Sequence, residues 1–216
     1  MSSRLGIYDI FSRIVPGSLY LAAFVEFARA MDLIKFDWLT ALNKLEIVPS
    51  LGLALIAFVI GSALDGISVQ WYRLFKLRSK GLAVFKEEHK DWKIEFEDKD
   101  WAILRAYVYT KDLNVANEIE RHNALSIMMK NISLGLALLS VCELIQLLKT
   151  LDWRFGVLVV ILMFFSYQAA IQARNMQDWF YRSIYETIIA YRLKLEDIVK
   201  PVTLAPARAK RKSQRK

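Results

Sequence analysis

The sequence has very little of the side-chain chemistry from which enzyme and metal sites are built. It contains one cysteine, Cys142, and two histidines, His89 and His122. A lone cysteine excludes an intrachain disulfide, and neither histidine has a carboxylate or cysteine partner at metal-ligand spacing. A Walker A loop, a dinucleotide-binding glycine pattern and a nucleophile elbow are also absent from the sequence. We therefore expect no enzymatic activity, no metal and no cofactor.

Charge is absent from one long stretch of the chain. Residues 155–173 contain no charged side chain and no proline. An α-helix of this length, rising about 1.5 Å per residue, nearly matches a bilayer core of roughly 30 Å. A buried helix of a soluble protein can be equally apolar, but a second apolar run, residues 132–148, precedes it across a short polar turn. The pair predicts a membrane hairpin, since a helix satisfies its own backbone hydrogen bonds in lipid.

Two more apolar runs, residues 18–31 and 47–69, complete the predicted fold. We expect an all-α protein, an integral membrane bundle of four transmembrane helices with a mainly helical cytosolic extension. Residues 2–15 predict an amphipathic helix, either along the bilayer surface or packed on neighbouring protein, and Pro16-Gly17 predicts a break or bend after it. The predicted domains are 1–69 (interfacial helix and two transmembrane helices), 70–131 (cytosolic, mainly helical insertion), 132–173 (transmembrane hairpin), 174–200 (cytosolic amphipathic helix) and 201–216 (basic disordered tail).

The periodicity of the hydrophilic regions predicts how they pack. Residues 112–130 have a helical pattern that runs directly into residues 132–148. After residue 173, apolar side chains recur every 3.6 residues on average, which predicts one continuous stripe packed against the helix 112–130. The stripe consists of Phe180, Ile184, Ile188, Tyr191, Leu195 and Ile198. The alternation of Trp92, Ile94 and Phe96 is also compatible with a short strand.

Basic residues determine the predicted orientation of the membrane helices. The formal net charge is +8, and lysines and arginines cluster at the same end of all four membrane segments. The opposite connections carry few of them. The positive-inside rule therefore predicts a multi-pass protein of the cell inner membrane with both termini in the cytoplasm. The flanking residues are Arg4, Arg13, Arg73, Lys76, Arg78, Lys80, Lys130 and Arg174.

Four ionisable side chains lie within or beside the apolar segments. Glu26 and Arg29 are three residues apart and can pair on one helix face. Asp65 and Glu143 are carboxylates in otherwise apolar surroundings. Such groups are costly in lipid, which makes all four candidates for a pore lining or a polar site inside the membrane. The alternative is a salt bridge or a helix cap near the bilayer surface.

Two further features are candidates for contacts with partners. Small side chains at Ser50, Ala54, Ala57 and Gly61 form a strip on one helix face, which predicts close helix packing and association between subunits. The chain ends in a cluster of positive charges that is a candidate for contact with anionic lipid or nucleic acid. This cluster consists of Arg208, Lys210, Arg211, Lys212, Arg215 and Lys216.

The layout resembles that of small prokaryotic multi-pass membrane proteins encoded with CRISPR or other antiphage defence modules. The shared features are Pro16-Gly17 before the first segment, four membrane segments and a helical insertion after the second. The resemblance implies a membrane effector or anchor of a defence complex, often oligomeric. We expect a homo-oligomeric effector or pore that permeabilises or depolarises the bilayer under control of its cytosolic region and a soluble cytosolic protein partner. The alternative is a non-conducting scaffold that anchors a soluble, nucleic-acid-binding partner.

Overall fold

The computed structural model describes residues 7–34, 47–77, 79–89, 97 and 100–191. These residues form α-helices and no strand, which confirms the predicted all-α class. The alternation at Trp92, Ile94 and Phe96 lies outside the described residues. The helices are α1 (Ile7–Ala30), α2 (Ile47–Leu74), α3 (Gly81–Glu88), α4 (Trp101–Lys111), α5 (Leu113–Thr150) and α6 (Trp153–Ala190).

Four of these helices, α1, α2, α5 and α6, are long and apolar enough to cross a membrane. Their outward side chains are apolar as well, with Leu55 and Val160 69% and 68% exposed. Only 17% of the most apolar stretch of α2, and likewise of α6, is buried inside the protein. A soluble protein buries surfaces of this kind, whereas lipid solvates them. The four helices therefore have the character of a multi-pass membrane bundle.

Helix α1 continues through Pro16 without interruption. Of the predicted break or bend at Pro16-Gly17, the break is therefore wrong, and residues 7–15 are the first turns of α1. Pro16 is fully buried and costs one backbone hydrogen bond, a loss that membrane helices tolerate when neighbouring groups compensate. A Cβ atom added to Gly17 would lie 1.7 Å from the backbone oxygen of Ala57 in α2. The proline–glycine pair thus marks a helix contact.

Helices α5 and α6 are each 38 residues long and belong to two parts of the molecule. Their adjoining ends, roughly 132–150 and 153–173, pack on each other, and α5 also packs against α1 and α2; we call these four segments the bundle. Their remaining halves pack with α3 and α4 in what we call the head module. The predicted continuity of both helices across these two parts is confirmed. Leu151 turns the chain between them in a left-handed conformation (φ 55°), and the Asp152 side chain then accepts the Arg154 N–H at 3.0 Å.

The head module has its own apolar core. The stripe on α6 contributes Phe180, Ile184 and Ile188, which pack against Ala116 and Ile119 of α5 as predicted. Helices α3 and α4 complete the core with Leu82, Phe85, Leu104 and Val108.

Tyr191 lies beyond the end of α6, is 42% exposed and does not join the core. Its hydroxyl instead donates to Asp112 at 3.2 Å, because the helix has ended and the ring is free to turn towards the start of α5. Leu195 and Ile198 lie outside the described residues.

Candidate functional site

Asp65 of α2 lies at the centre of a polar network inside the bundle. It accepts a hydrogen bond of 2.5 Å from Nδ2 of Asn131 in α5, and its Oδ2 lies 3.8 Å from Nε of Arg13 in α1. Asn131 is fully buried, and its Oδ1 and backbone oxygen accept from the Tyr20 hydroxyl at 2.9 Å each. Asp65 is thus a partnered carboxylate that joins three helices, and it does not cap α2, which continues to Leu74.

A second network joins α2, α5 and α6. The indole Nε1 of Trp71 donates to Ser133 Oγ at 3.1 Å, and the Ser166 hydroxyl donates to the backbone oxygen of Ser133 at 2.7 Å. Ser133 and Ser166 are both fully buried. With the Asp65 network, these contacts connect all four membrane helices by side-chain hydrogen bonds.

The other predicted ionisable residues lie near the opposite end of the bundle. The Glu26–Arg29 ion pair is confirmed, with 3.2 Å between Oε2 and Nε. Glu143 of α5 is half-buried and close enough for the charges of both residues to act on it. Lys149 reaches Asp32 at 2.6 Å just beyond this cluster. The structure therefore separates Glu26, Arg29 and Glu143 from Asp65, which belongs to the network at the other end.

The predicted small-residue strip of α2 faces α1 of the same chain over half of its length. Ala57 is 1% exposed, and a Cβ atom added to Gly61 would lie 2.2 Å from the backbone oxygen of Arg13. Ala54 is partly buried and Ser50 is exposed. The close packing at Ala57 and Gly61 is therefore intramolecular, and this part of the strip is not open to a second subunit.

A cleft of about 850 Å³ lies where the bundle meets the head module. Its walls come from the C-terminal end of α2, the connection between α2 and α3, and helices α3, α4, α5 and α6. Half of the lining residues are cationic or aromatic, namely Arg73, Lys76, Lys130, Tyr72, Trp101 and Tyr181, and Ser79 and Gln177 add neutral polar groups. The ammonium of Lys130 donates to Gln177 Oε1 at 3.2 Å and lies 4.9 Å from the centre of the Tyr72 ring.

Sequence reasoning identified the cations of this cleft only as flanking charges. Arg73 and Lys76 are three residues apart, but Lys130 lies 54 residues after Lys76, so only folding brings it to them. Tyr20, Asn131, Ser133 and Ser166 were not predicted as site residues at all. A lone asparagine beside a long apolar run, Asn131, was the one sequence feature from which the Asp65 network could have been inferred.

The basic cluster at 208–216 is not among the described residues. Within the described part of the chain, no three His, Cys, Asp or Glu side chains lie close enough to hold a metal ion. No protein-family model, curated protein or solved structure matches the chain.

Proposed function

We propose that the protein is a homo-oligomeric membrane effector whose bundle opens a path for ions when its head module changes shape. The observation that carries this proposal is the continuity of α5 and α6, each 38 residues long. At about 1.5 Å per residue each helix extends roughly 57 Å, about twice the thickness of a bilayer core. Because the same two helices wall both parts, a shift of packed helices in the head module is also a shift in the bundle.

The polar networks support a role in conduction. Among the described residues, Arg13, Asp65 and Asn131 have their ion-pair and side-chain hydrogen-bond partners in neighbouring helices of the bundle. A displacement of α5 against α1 and α2 would break these contacts, and the freed groups would need water or ions as new partners. Ionisable residues inside membrane segments commonly mark ion pathways for this reason.

We extend the proposal to the inner membrane, with the head module and both termini in the cytoplasm. Arg73, Lys76, Lys130 and Arg174 support this orientation, because these cations lie at the head-module ends of the membrane segments. The resemblance in layout supports a role in antiphage defence, where a soluble partner would act on the head module.

Ion flux from liposomes that contain the purified protein tests this function. Ile184→Ala removes a fully buried side chain from the head core, a change that costs about 2–5 kcal/mol of folding free energy. We expect the ion flux to exceed that of the parent protein, because the head module then holds α5 and α6 less firmly. Ile161→Ala is the matched control, since it removes the same atoms from a 43% exposed position of the same helix.

A chemical cross-link tests whether the head module must move. Arg182 of α6 pairs with Glu88 of α3 at 3.1 Å and with Glu186, one turn further along α6, at 2.6 Å. In a Cys142→Ala background that carries Ile184→Ala, Arg182→Cys with Glu88→Cys and a short bismaleimide ties α3 to α6 and should suppress the flux. Arg182→Cys with Glu186→Cys ties α6 only to itself and should leave the flux high. No flux from any of these proteins, at normal membrane insertion, would exclude the conducting function.

A non-conducting scaffold is the second candidate, and the tight packing of α1 favours it. Backbone lies against backbone at Gly17 and at Gly61, and a Cβ atom added to Gly135 of α5 would lie 2.6 Å from a side-chain carbon of Leu19. In this alternative the bundle is an anchor, and the head module or residues 207–216 hold a soluble protein or nucleic acid. Retention of a partner at the membrane without flux is the expected outcome.

A further inference from the structure

The cleft between the bundle and the head module contains cationic side chains that nearby carboxylates do not neutralise. Arg73, Lys76 and Lys130 line it, and none of them forms an ion pair with a carboxylate among the residues that the structure describes. Asp178 is a described carboxylate close to the cleft, because it pairs with Ser79 of the lining. It is already occupied by the Ser79 hydroxyl at 2.6 Å, the Lys80 N–H at 2.9 Å and Arg174 at 3.7 Å.

The helix dipole explains the presence of only two of the three cations. Arg73 and Lys76 lie at the C-terminal end of α2, where positive charge stabilises the helix dipole. Lys130 lies in the middle of α5, where no helix end requires a cation. Its ammonium is partly buried and forms no ion pair with a carboxylate among the described residues. It donates a hydrogen bond to Gln177 and lies over the Tyr72 ring. A desolvated cation without a counterion is unfavourable, so an anion from outside would relieve the cost.

The cleft also contains a hydrogen-bond donor without an acceptor among the described residues. The Tyr72 hydroxyl is buried and has no hydrogen-bond partner in the part of the chain that the structure describes. Buried hydroxyls normally have one, and an unpaired one marks a place where a bound group can sit. Tyr72 lines the cleft beside Lys130, so one bound group can contact the hydroxyl and the ammonium together.

We propose that this cleft binds a phosphate group, with Arg73, Lys76 and Lys130 as its cationic ligands. Phosphate matches the site because its oxygens accept several charge-assisted hydrogen bonds at once. The cleft of about 850 Å³ is larger than phosphate alone and leaves room for the molecule that carries it, beside the rings of Trp101 and Tyr181. That molecule is a phospholipid of the adjacent membrane surface or a soluble phosphate compound such as a nucleotide. Basic pockets at the ends of membrane helices bind lipid phosphates in this way.

Binding by the full-length protein in nanodiscs tests the proposal and distinguishes the two sources. In the lipid arm, native mass spectrometry measures retention of phosphatidylglycerol from discs that mix it with phosphatidylcholine. In the soluble arm, thermal stability is measured in pure phosphatidylcholine discs with added ATP or inorganic phosphate. We expect Lys130→Gln, and separately Arg73→Gln with Lys76→Gln, to lower the affinity in one arm by on the order of tenfold, the effect of lost charged hydrogen bonds.

A second cleft variant and a control variant make the binding experiment decisive. Arg73 and Lys76 are exposed, so their double variant tests the cleft even where Lys130→Gln impairs folding. Arg154→Gln removes an exposed cation at the opposite end of the bundle and controls for general surface charge. A loss of affinity confined to the lipid arm identifies a lipid headgroup as the ligand of the cleft. A loss of affinity confined to the soluble arm identifies a soluble phosphate compound. If the cleft variants bind like the parent and like Arg154→Gln in both arms, the proposal is wrong.

Discussion

At the scale of single residues, three glycines set how closely α1 approaches its neighbours. Added Cβ atoms at Gly17 and Gly61 would meet backbone atoms of α2 and α1, and one at Gly135 would meet the Leu19 side chain. A flexible side chain can move aside, but a backbone oxygen can move only with its helix. The contacts at Gly17 and Gly61 are therefore the least adaptable points of the bundle.

Gly61→Ala should destabilise the protein itself. The new methyl group would lie 2.2 Å from the Arg13 backbone oxygen, and overpacking of this kind typically costs about 1–3 kcal/mol. The measurement is thermal unfolding of the purified variant in detergent or nanodiscs. Gly52→Ala in the same helix is the control, because a Cβ atom there meets nothing within 4 Å and alanine favours helix. Equal melting temperatures for the two variants would show that α1 and α2 do not pack as described.

At the scale of helices, Asp112 joins the head-module ends of α5 and α6. Its Oδ1 accepts the backbone N–H groups of Asn114 at 2.8 Å and Val115 at 3.2 Å, which caps α5. Its Oδ2 accepts the Tyr191 hydroxyl just after α6. The Asp112 carboxylate thus caps α5 and also binds Tyr191, the residue that follows α6.

The cap makes a prediction about pH. Hydrogen bonds from the backbone N–H groups of Val115 and Asn114 hold the pKa of Asp112 below its ordinary value of 3.8. A lowered pKa means that the charged cap stabilises the fold above pH 3.8 and that this contribution is lost as the pH falls through the folded-state pKa. Asp112→Ala should therefore lower the melting temperature near neutral pH, and its difference from the parent should narrow in acid.

Asp112→Asn separates capping from charge. Asparagine accepts the same backbone N–H groups but does not titrate here, so its stability relative to Asp112→Ala should not depend on pH in this range. Circular dichroism melting curves of the three proteins provide the comparison. A gap between parent and Asp112→Ala that stays constant into acid would contradict a charged cap.

At the scale of the whole molecule, the orientation in the membrane remains a prediction with a direct test. Leu151, in the turn between α5 and α6, is 83% exposed, and Ile103 of α4 is 45% exposed in the head module. In a Cys142→Ala background, a membrane-impermeant maleimide should label Leu151→Cys in intact cells, because the positive-inside rule puts that turn outside the cytoplasm. Ile103→Cys should react only after lysis. The opposite pattern would reverse the orientation and with it the location of the head module.

Much of the fold could be predicted from the sequence because the relevant information is local. Apolar runs as long as a bilayer is thick identify the membrane helices, and the 3.6-residue spacing of Phe180, Ile184 and Ile188 identifies the face of α6 that packs on α5. Local rules failed at Tyr191, which lies beyond α6, and at Pro16-Gly17, where the predicted break is absent. In water a proline usually ends a helix, but here α2 packs against Gly17 and the helix continues.

The sequence by itself determined the helical class, the four membrane-length helices and the continuity of α5 and α6, since composition and periodicity act within one helix. The tertiary structure decided which side chains share a site. Asp65 and Asn131 are 66 residues apart, and Ser133 and Ser166 are 33 apart. The tertiary structure also places half of the small-residue strip against α1, and it brings Arg73, Lys76 and Lys130 into the lining of one cleft. These arrangements depend on how each helix is rotated and displaced against the others, and that is set by packing between distant segments and not by any local pattern.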